Sequence, residues 1–390
     1  MTDLAQIITE RVCQVTGGAP VALHEPSFKG NEWVYVKQCI DTGWVSSVGS
    51  FVDRFEHDLA EVTGAKHAVV VSNGTSGLQV ALQASGVERG DEVLIPALSF
   101  VATANAVMHC GAHPHFVDSD STTLGLSVAA LADHLSSLVE QRNGAPVNRH
   151  TGRRIAAVVP MHTFGHPVDM SALMDLANRH GITVVEDAAE SLGSLIGDRH
   201  TGTHGRCAML SFNGNKIVTT GGGGAVITDD PALAKRIKHL TTTAKQPHKW
   251  AFFHDDVGYN FRMPNLNAAL GCAQLEQLAG FVSAKRDLAL RYAQAFSDVA
   301  GAALFLERPG TRANYWLQTL ILDRDQAHLR DAVLTRTNAA AQMTRPVWDL
   351  LTSLPMYRAC AAMDIPVARD LALRIINLPS SPQLIATGVV

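Results

Sequence analysis

Three short segments of the sequence carry side chains that could do chemistry together. Lys216 ends the segment SFNGNK (211–216), and a lysine amine held in a cleft is a nucleophile toward carbonyl groups. Asp187 follows the apolar run 182–185, and a carboxylate in that position can pair with a protonated ring nitrogen. The segment NGTS (73–76) joins an apolar run to a helical pattern, where free N–H groups and the helix dipole favour a phosphate. It is the combination that favours a shared site.

Each segment also has an ordinary structural interpretation when it is considered alone. A lone lysine is usually a solvated surface charge, NGTS fits an N-cap turn, and Asp187 fits the cap of a following helix. No Walker lysine follows NGTS and no GxGxxG follows a strand, so neither a P-loop nor a dinucleotide fingerprint is supported. The hypothesis of a shared site therefore depends on where the fold places the three segments.

Apolar runs alternate with helical patterns between about residues 60 and 230, which predicts an α/β domain. Continuous β-branched runs separated by helices predict a mostly parallel sheet that is covered on both faces. Ligands of such sheets bind at the carboxyl ends of the strands, so we expect the three segments to meet in one cleft. The predicted strands are 68–71, 93–95, 115–117, 156–160, 182–185, 209–212 and 225–227, and helical patterns cover 76–84, 100–110 and 171–180.

The rest of the chain predicts a second, smaller domain. We expect residues 1–260 to form the large domain with an N-terminal helix, and residues 261–390 to form a small C-terminal α+β domain. A long helix is predicted at about 266–296 and a strand at 316–322, and prolines interrupt the sequence that follows.

The composition argues against several classes of partner. Of the 390 residues 46% are hydrophobic and 17% charged, and the formal net charge of -4 comes with no basic tract, so we expect no nucleic acid. No signal-peptide pattern and no apolar run of membrane-spanning length occurs, which predicts a cytoplasmic protein without a membrane partner. The six cysteines form no CxxC pair, and the group His109, Cys110, His113 and His115 spans a helix end and a strand start, so no metal site is predicted.

A set of motifs in fixed order resembles one family of enzymes. The chain carries NGTSG, PALSFVATANAV, EDAAE, SFNGNK and GYNFRMPNLNAALG, and from about residue 24 to 382 it is similar to the DegT/DnrJ/StrS sugar-nucleotide aminotransferases. The resemblance implies the aspartate aminotransferase-like fold (fold type I) and the cofactor pyridoxal 5′-phosphate (PLP). It implies that Lys216 carries PLP as a Schiff base and transfers protons as general base and acid, while Asp187 binds the pyridine nitrogen.

The resemblance also implies the remaining contacts with the cofactor. Ser211 and the backbone amides of Gly74 and Thr75 would hold the phosphate, and Phe100 would stack on the ring face. Asn260 would reach the phosphate from the partner subunit, so that a homodimer is the catalytic unit.

Two positions depart from the commonest pattern of that family. Glu190 stands near the cofactor's phenolic oxygen, where many members have His or Gln, and Asn213 and Gly214 replace a common His-Pro pair. A carboxylate beside a phenolate disfavours full ionisation of both groups. Neither departure removes an essential group.

The sequence LHEPSFKGNEWVYVKQCIDTGWVSSVGSFVDRFE, with EDAAESLGS and SFNGNKIVTTGGGG, resembles one branch of the family. That branch aminates C4 of UDP-2-acetamido-4-keto-2,6-dideoxyhexoses with L-glutamate as the donor, in bacillosamine or legionaminic acid synthesis for surface glycans. The alternatives are a C3 aminotransferase acting on another nucleotide-linked keto sugar, and a non-catalytic PLP-binding regulator. The lysine at 216 argues against the related dehydratases, which have His there.

Overall fold

An eight-stranded sheet forms the centre of the computed structural model, which describes residues 3–386. Each of the seven predicted strands is present. Six of them are one or two residues longer than predicted, and the strand predicted at 156–160 is one residue shorter, at Ile155–Val158. The order of strands across the sheet is His67–Val71, Gly224–Thr228, Cys207–Ser211, Thr183–Asp187, Ile155–Val158, Glu92–Pro96, His113–Val117 and Ala361–Ala362.

The sheet is mostly parallel, which confirms the α/β prediction. Only Gly224–Thr228 runs antiparallel to its two neighbours, and the other five pairings are parallel. Parallel strands need crossover connections, and helices supply most of them.

Local capping explains where several of these helices begin and end. The helix Met170–His180 begins where the Asp169 carboxylate accepts the N–H of Ala172, and it ends at Gly181 with φ of 70°. The helices of the described chain are Leu4–Thr16, Glu32–Thr42, Ser50–Thr63, Gly74–Ala84, Val101–His109, Val128–Leu138, Met170–His180, Pro231–Thr241, Asn265–Leu275, Leu278–Ala295, Arg330–Ala339, Pro366–Arg374 and Gln383–Ala386.

The long helical stretch predicted at about 266–296 is present, but a short turn at residues 276–277 divides it into the helices Asn265–Leu275 and Leu278–Ala295. The turn residues are tied to the helix Glu32–Thr42. Glu276 accepts a hydrogen bond from the hydroxyl of Tyr35 (2.7 Å), and Gln277 donates to the Glu32 carboxylate (2.6 Å). These tertiary contacts break a stretch whose own sequence is compatible with a continuous helix.

A second, antiparallel sheet is formed by the C-terminal part of the chain. Its strands are Ala302–Leu304, Gln318–Leu322, Ile375–Leu378 and Arg345–Pro346, in that order. The helix Leu4–Thr16 shares the core of this sheet, whereas Ala361–Ala362 extends the large sheet. We propose a boundary between two domains near residue 260, which these two segments cross.

Short strand pairs complete the secondary structure. In one small sheet, Leu195–Ile196 pairs with both Arg199–His200 and Thr311–Arg312. In the other, Val139–Arg142 pairs with Ala145–Asn148. Among residues 3–386, no helix combines the length and the apolar character needed to cross a membrane.

Candidate active site

A cavity of about 320 Å³ lies where the central strands end. The strands that end in Val71, Asp187 and Ser211 deliver the three segments predicted from the sequence to its wall. The lining residues are Asn73, Gly74, Thr75, Phe100, Ala102, Met161, Asp187, Ala189, Glu190, Met209, Ser211, Asn213, Asn215, Lys216, Gly222, Gly223, Trp316 and Trp348. We call this cavity the site cleft.

One end of the site cleft is the N-terminus of the helix Gly74–Ala84. The Asn73 side chain accepts the N–H of Ser76 (2.8 Å), which caps the helix while its first turn opens toward the cleft. A Cβ atom at Gly74 would lie 2.9 Å from Met209 Sδ and 3.3 Å from Ser211 Oγ. The glycine therefore lets the helix terminus lie close to Met209 and to the Ser211 hydroxyl.

The glycine run 221–224 brings the backbone close to this helix terminus. A Cβ atom at Gly224 would lie 2.9 Å from the Gly74 nitrogen and 2.8 Å from the Leu210 oxygen. The strand Gly224–Thr228 can therefore pack beside the strand Cys207–Ser211 only because residue 224 has no side chain.

Asp187 is the last residue of its strand, and its carboxylate is buried. One oxygen accepts the hydroxyl proton of Thr103 (2.7 Å) and the other accepts the N–H of Ala189 (3.2 Å). Burial raises the pKa of Asp187, and these hydrogen bonds together with the charge of Lys216 oppose that rise. A protonated ring nitrogen would supply the counter-charge that this carboxylate has only in part.

Lys216 lies between a carboxylate and an aromatic ring. Its Nζ is 3.1 Å from Glu190 Oε1 and 3.7 Å from the centre of the Trp316 ring, and 11% of the side chain is exposed. The second Glu190 oxygen accepts the backbone N–H of Phe164 (2.9 Å). Burial raises the pKa of Glu190 to about 7, although the charge of Lys216 opposes the shift.

Aromatic side chains form the opposite wall of the site cleft. Phe100 is 48% exposed, and its ring meets that of Trp348 edge to face at 6.0 Å between centroids. Phe164 lies behind Trp348, with 5.1 Å between ring centroids. Phe100 was expected at this wall, whereas Trp316, Trp348 and Phe164 were not recognised as site residues.

Asn260 is the one predicted site residue that does not line this cleft. It is exposed, and its side-chain oxygen accepts a hydrogen bond from Arg262 Nε (3.0 Å). The other predicted cofactor contacts, Gly74, Thr75, Phe100, Asp187, Glu190, Ser211 and Lys216, lie together.

The arrangement fits the cofactor that the sequence resemblance implies. The helix N-terminus at Gly74 and Thr75, beside the Ser211 hydroxyl, lines the cavity and suits a phosphate. The Asp187 carboxylate suits the ring nitrogen, and the Lys216 amine suits the aldehyde carbon. All three groups border the same cavity.

Comparisons with known proteins agree with this geometry. Residues 26–389 match the model of the DegT/DnrJ/EryC1/StrS aminotransferase family. The chain is 37% identical over 367 residues to GDP-perosamine synthase of Vibrio cholerae, covering 93% of this chain and 95% of that protein. It is 35% identical over 370 residues to GDP-perosamine synthase of Escherichia coli O157:H7, covering 93% and 94%.

Solved structures show the same fold. The aminotransferase TlmJ from Streptoalloteichus hindustanus superimposes with a TM-score of 0.84 at 29% identity, covering 95% of this chain and 96% of that one. DesI, solved in the presence of its TDP-sugar product, gives 0.81 at 27% identity, covering 92% and 88%. The chain therefore belongs to the DegT/DnrJ/EryC1/StrS aminotransferase family and is a PLP-dependent sugar aminotransferase.

Proposed function

We propose that this enzyme aminates C4 of a nucleotide-linked 4-keto-6-deoxy sugar. The observation that carries the proposal is the placement of Lys216, Asp187 and the Gly74 helix terminus around one cavity. Bound PLP supplies an electron-withdrawing ring that takes an amino group from a donor and passes it to an acceptor. The choice of sugar rests on the relatives and on sequence resemblance.

Lys216 is the proposed catalytic residue. Its amine lines the site cleft, where it would hold the cofactor covalently and would act as general base and acid when free. Asp187 would pair with the protonated ring nitrogen, and the hydroxyl of Thr103 orients its carboxylate.

The remaining contacts hold the cofactor in place. Gly74, Thr75 and Ser211 would hold the phosphate, with the helix dipole adding attraction. Phe100 would contact the cofactor ring. Glu190 closes the side of the cleft next to Lys216.

The first candidate acceptor is a GDP-linked 4-keto-6-deoxyhexose. Three relatives named GDP-perosamine synthase, at 35% to 37% identity, each match at least 92% of this chain. The second candidate is a UDP-2-acetamido-4-keto-2,6-dideoxyhexose, because the motifs around residues 23–56 and 186–194 resemble the branch that uses it. L-glutamate is the proposed amino donor for both.

We further propose that the working enzyme is a homodimer. Asn260 is exposed and does not line the cleft of its own subunit, and the neighbouring segment presents apolar side chains to solvent. Trp250, Phe252 and Val257 are 72%, 79% and 81% exposed. A second copy of the chain would cover these side chains and receive Asn260 at its phosphate site. The cytoplasmic location remains a prediction from the sequence.

A two-step reaction tests the proposed chemistry. PLP-loaded enzyme is first treated with L-glutamate, and release of 2-oxoglutarate is measured. Excess donor is removed, and each nucleotide-linked keto sugar is added separately. We expect a 4-amino sugar, identified by mass spectrometry and NMR, together with recovery of the original cofactor spectrum.

The acceptor that restores the spectrum fastest identifies the nucleotide. If only a 3-keto sugar restores it, the enzyme is a C3 aminotransferase and the proposed position is wrong. If glutamate releases no 2-oxoglutarate, the proposed donor is wrong and other amino acids are tested in the same way.

A further inference from the structure

We propose that Glu190 is a positioning residue for Lys216, which holds the lysine side chain as an ammonium ion against the Trp316 ring. The inference rests on the proposed role of Lys216 as the amine that binds PLP. It adds to the sequence expectation, in which Glu190 lies near the phenolic oxygen of the cofactor. Here Glu190 Oε1 is 3.1 Å from the lysine nitrogen.

The Glu190 carboxylate cannot turn freely. Its second oxygen accepts the N–H of Phe164 (2.9 Å), and the whole side chain is buried. Phe164 has φ of 55°, in the left-handed region that large side chains rarely adopt. That conformation accompanies the hydrogen bond that fixes the carboxylate toward Lys216.

Trp316 is fixed from the opposite side of the lysine. Its ring N–H donates to the Asn215 carbonyl (2.8 Å), and its backbone N–H donates to the Asn314 side chain (2.8 Å). The same Asn314 side chain donates to the Glu190 carbonyl (2.9 Å). One fully buried amide therefore links the carboxylate and the aromatic ring that enclose the lysine.

Two further titratable groups face this pair. Asp187 lies close enough to attract Lys216 and to oppose ionisation of Glu190, but it makes its own hydrogen bonds to Thr103 and Ala189. His24 approaches Lys216 from the N-terminal segment. Burial, with the charges of two lysines, lowers the pKa of His24 well below its usual range, so its ring is neutral.

Glu190 is therefore the anion that bonds directly to Lys216. Burial raises the pKa of Glu190 to about 7, so the pair is ionic above that pH and loses its negative partner below it. An ammonium ion has no free electron pair and cannot attack a carbonyl, but it can donate a proton. An ionised Glu190 therefore stabilises the ammonium form of Lys216 relative to the neutral amine.

The test measures the reactivity of Lys216 in the full-length chain freed of PLP. Formaldehyde with an amine–borane reductant methylates only neutral amines, and mass spectrometry quantifies the product at residue 216. Wild-type chain and Glu190→Gln are compared at about pH 8 and about pH 6. We expect the Gln variant to react roughly fivefold to tenfold faster at about pH 8, and less than twofold faster at about pH 6.

The pH dependence of the ratio between the two methylation rates distinguishes an electrostatic effect on Lys216 from a change in reagent access. A change in reagent access alone would give the same ratio at both pH values and would overturn the proposal, as would equal rates at the higher pH. Glu190→Asp, which keeps a shorter carboxylate, should fall between the two and also serves if the Gln variant does not fold. Glu56→Gln, which removes a similar partner from Lys238, should leave residue 216 unchanged.

The outcome does not depend on the substrate. Failure to aminate either sugar would refute the proposed function while leaving the methylation ratios as they are. Normal sugar amination with pH-independent ratios would refute only the proposed role of Glu190.

Discussion

Lys216 and Asp187 both line the site cleft, but only the charge of Lys216 has an oppositely charged group at hydrogen-bond distance. Lys216 has a carboxylate at hydrogen-bond distance and an aromatic face beneath it, whereas Asp187 accepts only neutral donors. Pairing with a cation stabilises a buried carboxylate that otherwise accepts hydrogen bonds only from neutral donors. The protonated ring nitrogen of PLP would supply such a cation, which connects the geometry of the two residues to PLP chemistry.

Replacing the lysine tests its proposed covalent role. In Lys216→Ala, we expect multiple turnover to be lost, together with the visible absorbance that depends on the lysine–cofactor bond. PLP should still bind through Gly74, Thr75 and Ser211, which equilibrium dialysis measures. Lys238→Ala, at a surface ion pair, is the control and should keep full turnover. A Lys216→Ala enzyme with normal turnover would contradict the assignment.

Glu190 also gives a pH dependence of stability. Its pKa of about 7 in the folded chain exceeds the ordinary value of 4.5, so the unfolded chain releases its proton first and stability falls as pH rises between these values. Glu190→Gln cannot ionise. Its free energy of unfolding should therefore rise relative to wild type by up to about 3 kcal/mol across that range.

Urea unfolding of the PLP-free chain at one protein concentration measures this difference. Glu307→Gln is the control: the pKa of Glu307 lies below its ordinary value, so both states are already ionised and its difference from wild type should stay constant. If the difference in free energy of unfolding between Glu190→Gln and wild type is equally independent of pH, the raised pKa of Glu190 in the folded chain is contradicted.

The helix Gly74–Ala84 is the structural element whose N-terminus forms part of the proposed phosphate site. It starts at the end of the strand His67–Val71 and runs against Cys207–Ser211, so its N-terminus faces Ser211. Neither the strand nor the helix alone makes a phosphate site. The proposed phosphate site depends on the close approach at Gly74, with a serine hydroxyl beside it.

A single methyl group at this helix terminus should therefore weaken cofactor binding. Gly74→Ala puts a Cβ at 2.9 Å from Met209 Sδ and near Ser211, and we expect PLP affinity to fall roughly tenfold or more, since displaced phosphate contacts are charge-assisted. Fluorescence titration measures the change. Gly280→Ala makes the same change at an exposed position of the helix Leu278–Ala295, where the added Cβ contacts nothing, and should leave PLP affinity unaltered.

At the scale of the whole molecule, the site cleft draws on distant parts of the chain. Trp316 and Trp348 come from the region that carries the second sheet, while Lys216 and Asp187 come from the first. The proposed dimer would add Asn260 from another copy. The site would then combine residues from the region of the first sheet, the region of the second sheet and a second copy of the chain.

Mixing two defective subunits tests the contribution across the interface. Lys216→Ala and Asn260→Ala homodimers should each be impaired at limiting PLP. After subunit exchange, half of the dimers are mixed and each has one intact site, so activity should recover to about one quarter of wild type. If Asn260 serves its own subunit, no mixed dimer has an intact site and activity does not recover.

The sequence predicted the strands of the large sheet because their apolar runs are continuous and short. It also predicted that NGTS, Asp187 and Lys216 meet, since residues at the carboxyl ends of parallel strands share one edge. The broken helix at 276–277 could not be predicted, because the break depends on contacts with residues more than 240 positions away.

The sequence by itself determined the family and the cofactor and predicted the catalytic lysine, because these depend on residue types in local motifs. Tertiary structure decided what surrounds that lysine. Trp316 lies 100 positions from Lys216, and Phe164 reaches Glu190 through a backbone N–H that no side-chain motif records. Such contacts arise only when separate elements pack together, so the enclosure of Lys216 is a property of the fold.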